Sequence, residues 1–201
     1  MSPASDLTIE IAATAARLVV DEGMEYGPAK KRAVKSLSPA QQRRIELPDN
    51  QLLEEQVRDY IALFCADTQP QELAALREVA ALWMARLAEF RPHLCGAVWR
   101  GTATKLSNVH LQLYCDDSKA AEIALINQRV DYEVGSISGP RGKDIDVLSL
   151  PSFSRALGES VTVHLSVLDF DDLRGALKPD AKGESVRGDL QALRKLMGPL
   201  P

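Results

Sequence analysis

The residues that could do chemistry concentrate in one stretch, Cys95-Gly96-Ala97-Val98-Trp99-Arg100-Gly101-Thr102-Ala103-Thr104-Lys105-Leu106-Ser107-Asn108-Val109-His110-Leu111-Gln112-Leu113. From Asn108 onward apolar and polar residues alternate. The alternation predicts a strand with Val109, Leu111 and Leu113 on one face and Asn108, His110, Gln112 and Tyr114 on the other. An imidazole on a polar strand face can take a proton or ligate a metal. The densest run of carboxylates is Asp169, Asp171 and Asp172. It reads either as a displaced metal site or as the N-cap and first-turn acids of a helix before Leu173. Ser107, His164 and Asp169 stand in a Ser-His-Asp order, but no nucleophile elbow surrounds the serine. There is no Gly-Lys-Ser/Thr phosphate loop, no GxGxxG and no HExxH.

The stretch resembles the signature of the polymerase-β-like nucleotidyltransferase superfamily. That signature is a strand ending in Gly-Ser, a short helical turn with an Arg-Gly-Thr step, then Ser-acid-hydrophobic-acid-hydrophobic opening the next strand. Gly96 falls on the glycine, Arg100, Gly101 and Thr102 on the middle, and Ser107 on the serine before the acidic pair. Val109, Leu111 and Leu113 take the apolar places, and the spacing from Gly96 to Ser107 fits without a gap. The resemblance implies a nucleotide held by Gly96, Ala97, Arg100, Gly101, Thr102 and Ser107. Glycine admits a close phosphate, and hydroxyls and turn amides bind its oxygens. It further implies three carboxylates holding two divalent ions that polarise the α-phosphate and neutralise the leaving pyrophosphate.

This sequence departs from the pattern where that chemistry occurs. Ala97 stands for the Gly-Ser serine, Asn108 for the first carboxylate and His110 for the second. The third carboxylate of the family lies on a later strand, and Val163-His164-Leu165 is the best match, so His164 takes that place. A site built for three negative charges would carry none, and up to two positive ones if both imidazoles protonate. Such a site should bind Mg²⁺ weakly, since Mg²⁺ wants oxygen ligands. Zn²⁺ suits imidazole better, but two histidines and an amide fall short of a zinc set. No resident metal is expected and the cofactor is left open.

These residues need elements to hold them. Helical spacing predicts a first helix through Leu7, Ile11, Ala15 and Leu18, capped by Ser5 or Asp6 and stopped at Gly23. A second should follow Pro28. A third should run over 51–65 with Leu53, Val57, Tyr60, Ile61 and Phe64 as its apolar stripe. A fourth, opened by Pro70 and ended by Pro92, carries Leu73, Leu76, Ala80, Trp83, Leu87 and Phe90 on one face, with Trp83 and Phe90 read as core. Strands are then predicted over 94–99, 109–114, 132–137, 145–150 and 161–168. Helices are predicted over 118–128, capped by Asp116 or Asp117, and over 189–197, stopped by Gly198. A turn-rich loop spans 138–143 and a loose tail 198–201. The class is α+β: a helical region over 1–91, then a small mixed sheet with flanking helices over 92–201, nucleotidyltransferase-like by the resemblance.

The chain's 201 residues suit an ordinary core. A net charge of −4 speaks against a nucleic-acid coat or an anionic-membrane binder. No apolar run reaches the length of a bilayer span, and the N-terminus MSPASDLTIE lacks the features of a secretory signal. Cys65, Cys95 and Cys115 are odd in number without CxxC spacing, which fits a reducing compartment. The expectation is a cytoplasmic protein of bacterial type. The basic group Lys30, Lys31, Arg32 and Lys35, with Arg43 and Arg44 nearby, reads as a solvated helix face rather than an RNA contact. Three functional readings follow. One is a degenerate member that binds a nucleotide or a partner without metal-dependent turnover. The second is an active enzyme transferring a nucleotide to a protein, RNA or small-molecule acceptor, with His110 or His164 as base. The third is an interaction protein, its helices a partner or homodimer surface and its pocket empty.

Overall fold

The computed structural model describes residues 5–38, 42, 46–140, 142–178, 183 and 185–198. The chain divides into two compact units, Met1–Pro70 with Thr102–Ser107, and Gln71–Gly101 with Asn108–Pro201.

The first unit contains α1 (Asp6–Glu22), α2 (Tyr26–Lys35) and α3 (Asn50–Phe64). The Ser5 hydroxyl accepts the Thr8 N–H at the start of α1, as the capping signal predicts. Gly23 closes α1 in the left-handed region at φ 66°, with its N–H on the Leu18 carbonyl. A Cβ at Gly23 would also meet the Leu106 carbonyl oxygen at 2.7 Å, so two constraints demand glycine there. Ile11, Ala15 and Val19 of α1 are buried with Ala29 and Ala33 of α2 and Leu53, Val57 and Ile61 of α3. The expected stripe of α3 is corrected at its end. Phe64 is 68% exposed, its ring tilted at 44° against Tyr60 rather than packed inside. The second helix begins at Tyr26, ahead of Pro28, which sits within the first turn where its missing N–H costs nothing. Of the basic group, Lys30 is tied to the Pro48 carbonyl and Asn50, and Arg32 pairs with Glu22. Arg43 and Arg44 lie outside the described residues.

The second unit takes most of α4 (Gln69–Arg86), a 3₁₀ turn (Ala88–Phe90) and a mixed sheet. The strands are β1 (His93–Cys95), β2 (Val109–Cys115), β3 (Glu133–Ser138), β4 (Asp144–Ser154), β5 (Glu159–Asp169) and β6 (Arg187–Gly188), in the order β3-β4-β5-β2-β1-β6. Helices α5 (Gly96–Arg100), α6 (Ala120–Asn127), α7 (Asp172–Ala176) and α8 (Leu190–Met197) complete it. Only β2 and β5 pair in parallel among the described strands. The α+β expectation is met.

Leu76, Ala80 and Trp83 of α4 are buried, as are Leu94, Leu111, Leu113, Val163, Leu165, Leu148 and Leu150, which alternate along the strands. The Trp83 Nε1–H donates to the Ser152 hydroxyl at 2.9 Å, satisfying both buried groups. Pro151 sits in β4 beyond Ser149, the last residue that β3 pairs, so its absent N–H removes no ladder bond on the β3 side. One element differs in kind from its expectation. The apolar run 94–99 is strand only to Cys95; Gly96 at φ 72° breaks it and Gly96–Arg100 coils into α5. The helix over 118–128 is shorter, Ala120–Asn127, and Asp117 caps a turn ahead of it by accepting the Lys119 N–H. Asp189 caps α8 on Ala192 and Gly198 ends it, as expected; residues 199–201 lie outside the description.

Candidate functional site

The site is built at the mouth of β1 and β2. Gly96 turns the chain out of β1 with a backbone conformation that side-chain-bearing residues rarely adopt. A Cβ there would lie 3.6 Å from the His110 ring, an ordinary contact, so the dihedral rather than crowding requires glycine. The next helix, α5, is stopped by Gly101 at φ 82°, whose N–H returns to the Ala97 carbonyl. Arg77 of α4 steadies its last turn, donating to the carbonyls of Val98 at 3.2 Å and Trp99 at 3.5 Å. Burial pulls the Arg77 guanidinium below its usual range. Trp99 lies over Gly188 of β6 and donates its Nε1–H to the Ser185 carbonyl at 2.7 Å. Ala97 and Arg100 are half-buried on this turn.

Thr102 and Ser107 sit in the segment Thr102–Ser107, which groups with the first unit. Gln69 Nε2 donates to the Ala103 carbonyl and anchors the segment. The Ser107 hydroxyl accepts the Thr104 N–H at 3.0 Å, closing its own turn. The Thr102 hydroxyl is buried without a hydrogen-bond partner among the described residues. The structure thus gives Ser107 a local structural task beside the phosphate-binding one expected of it.

Register brings His110 and His164 together. His110 of β2 and His164 of β5 are direct partners in the parallel pair, and their rings stack with centroids 5.0 Å apart at 29°. Cys95 pairs with His110 from the other side, its Sγ 3.5 Å from the His110 carbonyl oxygen. Asn108, half-buried, immediately precedes β2. Ser149 of β4 pairs with His164, and its Oγ lies 2.8 Å from His164 Nδ1. Ser149 is a site residue that the sequence reading missed. Its only signal is the alternation of β4, and that becomes informative once the β4–β5 register is known.

The residues present do not fit the pair of divalent ions that the sequence resemblance implies. Asn108, His110 and His164 offer one amide oxygen and two imidazoles where Mg²⁺ takes oxygens. No group of three or more His, Cys, Asp and Glu suited to a metal occurs among the described residues. The Asp169–Asp172 run lies five or more residues beyond His164, roughly 17 Å along a strand. Its Asp169 and Asp172 line a different cavity of about 350 Å³ with Cys115, Asp116, Asp144 and Asp146. Burial, then the carboxylates of Asp117, Asp116 and Asp169, push the Cys115 thiol up. Asp169 accepts the Asp171 N–H at 2.9 Å, and Asp171 at the α7 N-cap makes no side-chain capping bond. None of Cys65, Cys95 and Cys115 forms a disulfide among the described residues. No described helix is long and apolar enough to cross a membrane.

No protein-family model matches the chain, and no curated protein sequence matches it. Part of it is similar to solved structures. Cid1 in complex with the UTP analogue UMPNPP is 16% identical with a TM-score of 0.35, over 55% of this chain and 36% of that one. The Cid1 poly(U) polymerase with MgGTP bound is 16% identical at TM-score 0.36, over 54% and 38%. A cytoplasmic RNA terminal U-transferase is 19% identical at TM-score 0.35, over 54% and 36%. The chain spans little more than a third of the length of the structures it matches.

Proposed function

We propose that this protein is a degenerate relative of the polymerase-β-like nucleotidyltransferases that binds a nucleotide or a partner without metal-dependent turnover. The observation that carries the reading is the stacked His110–His164 pair on adjacent parallel strands, at the positions where that superfamily's signature places carboxylates. The Gly96 turn, the short helix Gly96–Arg100 and the alternation after Asn108 supply the rest of the signature in its expected order. Gly96, Ala97, Arg100 and Gly101 are the proposed nucleotide contacts on this turn. Imidazoles in place of carboxylates remove the repulsion that an ion pair would otherwise have to relieve, so phosphate oxygens can approach without Mg²⁺.

The test is a thermal-shift titration with ATP, GTP, CTP and UTP, each with and without Mg²⁺, Mn²⁺ and Zn²⁺. A nucleotide at 100 times its dissociation constant stabilises by about 2.7 kcal/mol, a readable shift. The expected result is a shift by nucleotide alone. A shift that requires Mg²⁺ or Mn²⁺, or nucleotide transfer in their presence, sinks the degenerate reading. One observation favours a second reading, an active enzyme with an atypical base. The Ser149–His164 bond fixes one ring nitrogen, which orients the other for proton transfer. On that reading His164→Ala abolishes an NTP-dependent reaction of the wild type.

A further inference from the structure

The two edges of the sheet are finished differently. β6 is only two residues long, and the Trp99 ring lies over its Gly188. So short an edge offers little to another strand. β3, at the opposite edge, runs for six residues and is exposed at every one, with no described strand on its outer side. It carries no proline and no lysine, and its charge is confined to Glu133 at the start. Val134, 56% exposed, stands on one face and Ile137, 50% exposed, on the other. Proline, lysine and shortness are the usual devices that keep strand edges apart, and β3 has none of them.

Backbone direction fixes what this edge can bond. The Gly139 N–H donates to the Lys143 carbonyl at 2.8 Å, continuing the register in which Ser138 pairs with Asp144. Antiparallel strands alternate, so Ile137, Gly135 and Glu133 also turn their N–H and C=O towards β4. Val134, Ser136 and Ser138 turn theirs outwards. Pro140, next in that outward series, has no N–H, so the row ends there.

A second copy related by a two-fold axis through Ser136 uses that row in full. Val134 of each copy falls opposite Ser138 of the other and Ser136 opposite Ser136, and each pair exchanges both of its main-chain bonds. In the same register Ile137 of each copy falls opposite Gly135 of the other. A Cβ at Gly135 would meet only the Val147 carbonyl oxygen, at 3.9 Å, so the space over it is open to that side chain. Charge agrees with this pairing. Glu133 falls opposite Gly139 of the second copy, whose β4 neighbour is Lys143. Glu133 and that Lys143 then share a face two strand spacings apart, roughly 10 Å between backbones, within reach of two long side chains. An exposed ion pair adds little energy, but it selects direction, since a parallel in-register pairing would set Glu133 beside Glu133.

We propose that the outer edge of β3 pairs antiparallel with the same edge of a second copy, joining the two six-stranded sheets through a two-fold axis at Ser136. The contact is self-complementary and uses up the long edge of each copy, so assembly stops at a dimer. It does not depend on the nucleotide reading.

The test is sedimentation equilibrium on the full chain from about 5 to 500 µM, since so narrow an interface belongs to the weak class. A reversible monomer–dimer equilibrium is expected in that range. Ser136→Pro removes a donor that β4 does not use, and gives up only a long hydroxyl contact of 3.4 Å to the Ile145 carbonyl. It should keep the circular dichroism of the wild type and weaken the dimer about tenfold or more. Should that variant fail to fold, Glu133→Lys gives a second handle. It sets like charges across the axis and should weaken the dimer about threefold at low salt, and Glu133→Lys/Lys143→Glu should restore it. Register is read by oxidation. Ser136→Cys lies on the axis, about 5.5 Å between Cα atoms, and should give a dimer cross-linked at position 136 by mass spectrometry. Ser138→Cys, roughly 14 Å from its equivalent, should not. A monomer throughout, species larger than a dimer, an undiminished dimer in folded Ser136→Pro or in Glu133→Lys, or equal cross-linking at 136 and 138 overturns the proposal.

Discussion

Placing carboxylates at Asn108, His110 and His164 gives the most searching test of the histidine site. In the triple variant Asn108→Asp/His110→Asp/His164→Asp, positions 110 and 164 remain direct partners across parallel strands. Their ring centroids are now 5.0 Å apart, and two carboxylates at that separation repel. Coulomb's law gives about 3 kcal/mol at an effective dielectric of 20 and about 1 kcal/mol at that of water. The His164–Ser149 hydrogen bond is lost as well, for about another 1 kcal/mol. In a chelator the variant should therefore unfold in urea with a free energy about 2–4 kcal/mol below the wild type. Mg²⁺ should then return part of that loss saturably, by about 2.7 kcal/mol at 100 times its dissociation constant, whereas the wild-type midpoint should not respond to Mg²⁺. The assay is urea denaturation followed by Trp fluorescence at a series of Mg²⁺ concentrations. If the variant is unaffected by chelation, or if the wild type gains as much from Mg²⁺ as the variant does, then these three positions do not face one ion-sized space and the reasoning fails.

Three further outcomes follow from individual contacts. Gly188→Ala places a Cβ 2.1 Å from the Trp99 ring, so urea denaturation should find it destabilised by about 1–3 kcal/mol, and Gly188→Ala/Trp99→Leu should recover much of that loss. Tyr114 is raised by burial, partly opposed by Arg187, so its contribution to stability is complete below the unfolded tyrosine value near 10 and declines as pH rises through the folded value. Unfolding free energies should fall above about pH 10, and less steeply in Tyr114→Phe. Cys115, held up by burial and neighbouring carboxylates, should alkylate with iodoacetamide at pH 8 more slowly than a model thiol, and faster when Asp117→Asn and Asp116→Asn are introduced.

Local chemistry wrote much of this molecule openly. Ser5 and Asp189 are side-chain caps, Gly23 and Gly198 are stops, and the alternation from Val109 to Leu113 is the strand it promised, because each signal is satisfied within a few residues of itself. That also made Asn108 and His110 legible as neighbours on one face. Where two local signals competed, the reading erred. The run 94–99 is apolar enough for a strand, and only the left-handed backbone at Gly96 decides that Val98 is buried from a helix instead. Phe64 has the period of a core residue, yet α3 ends before anything covers it.

What joins distant strands lies beyond any local pattern. The family pattern pointed to His164, but its contact with His110 depends on β2 and β5 running parallel in register, and Ser149 enters through the antiparallel register of β4. The grouping of Gln112, Tyr114 and Arg187 likewise arises from β6 closing on β1. Residue types and spacing determined which side chains share a strand face, since the pleat alone sets that. Only the tertiary pairing decided which faces meet, because hydrogen bonds between strands are indifferent to sequence until burial of Leu111, Leu165 and Leu148 selects one register over its neighbours.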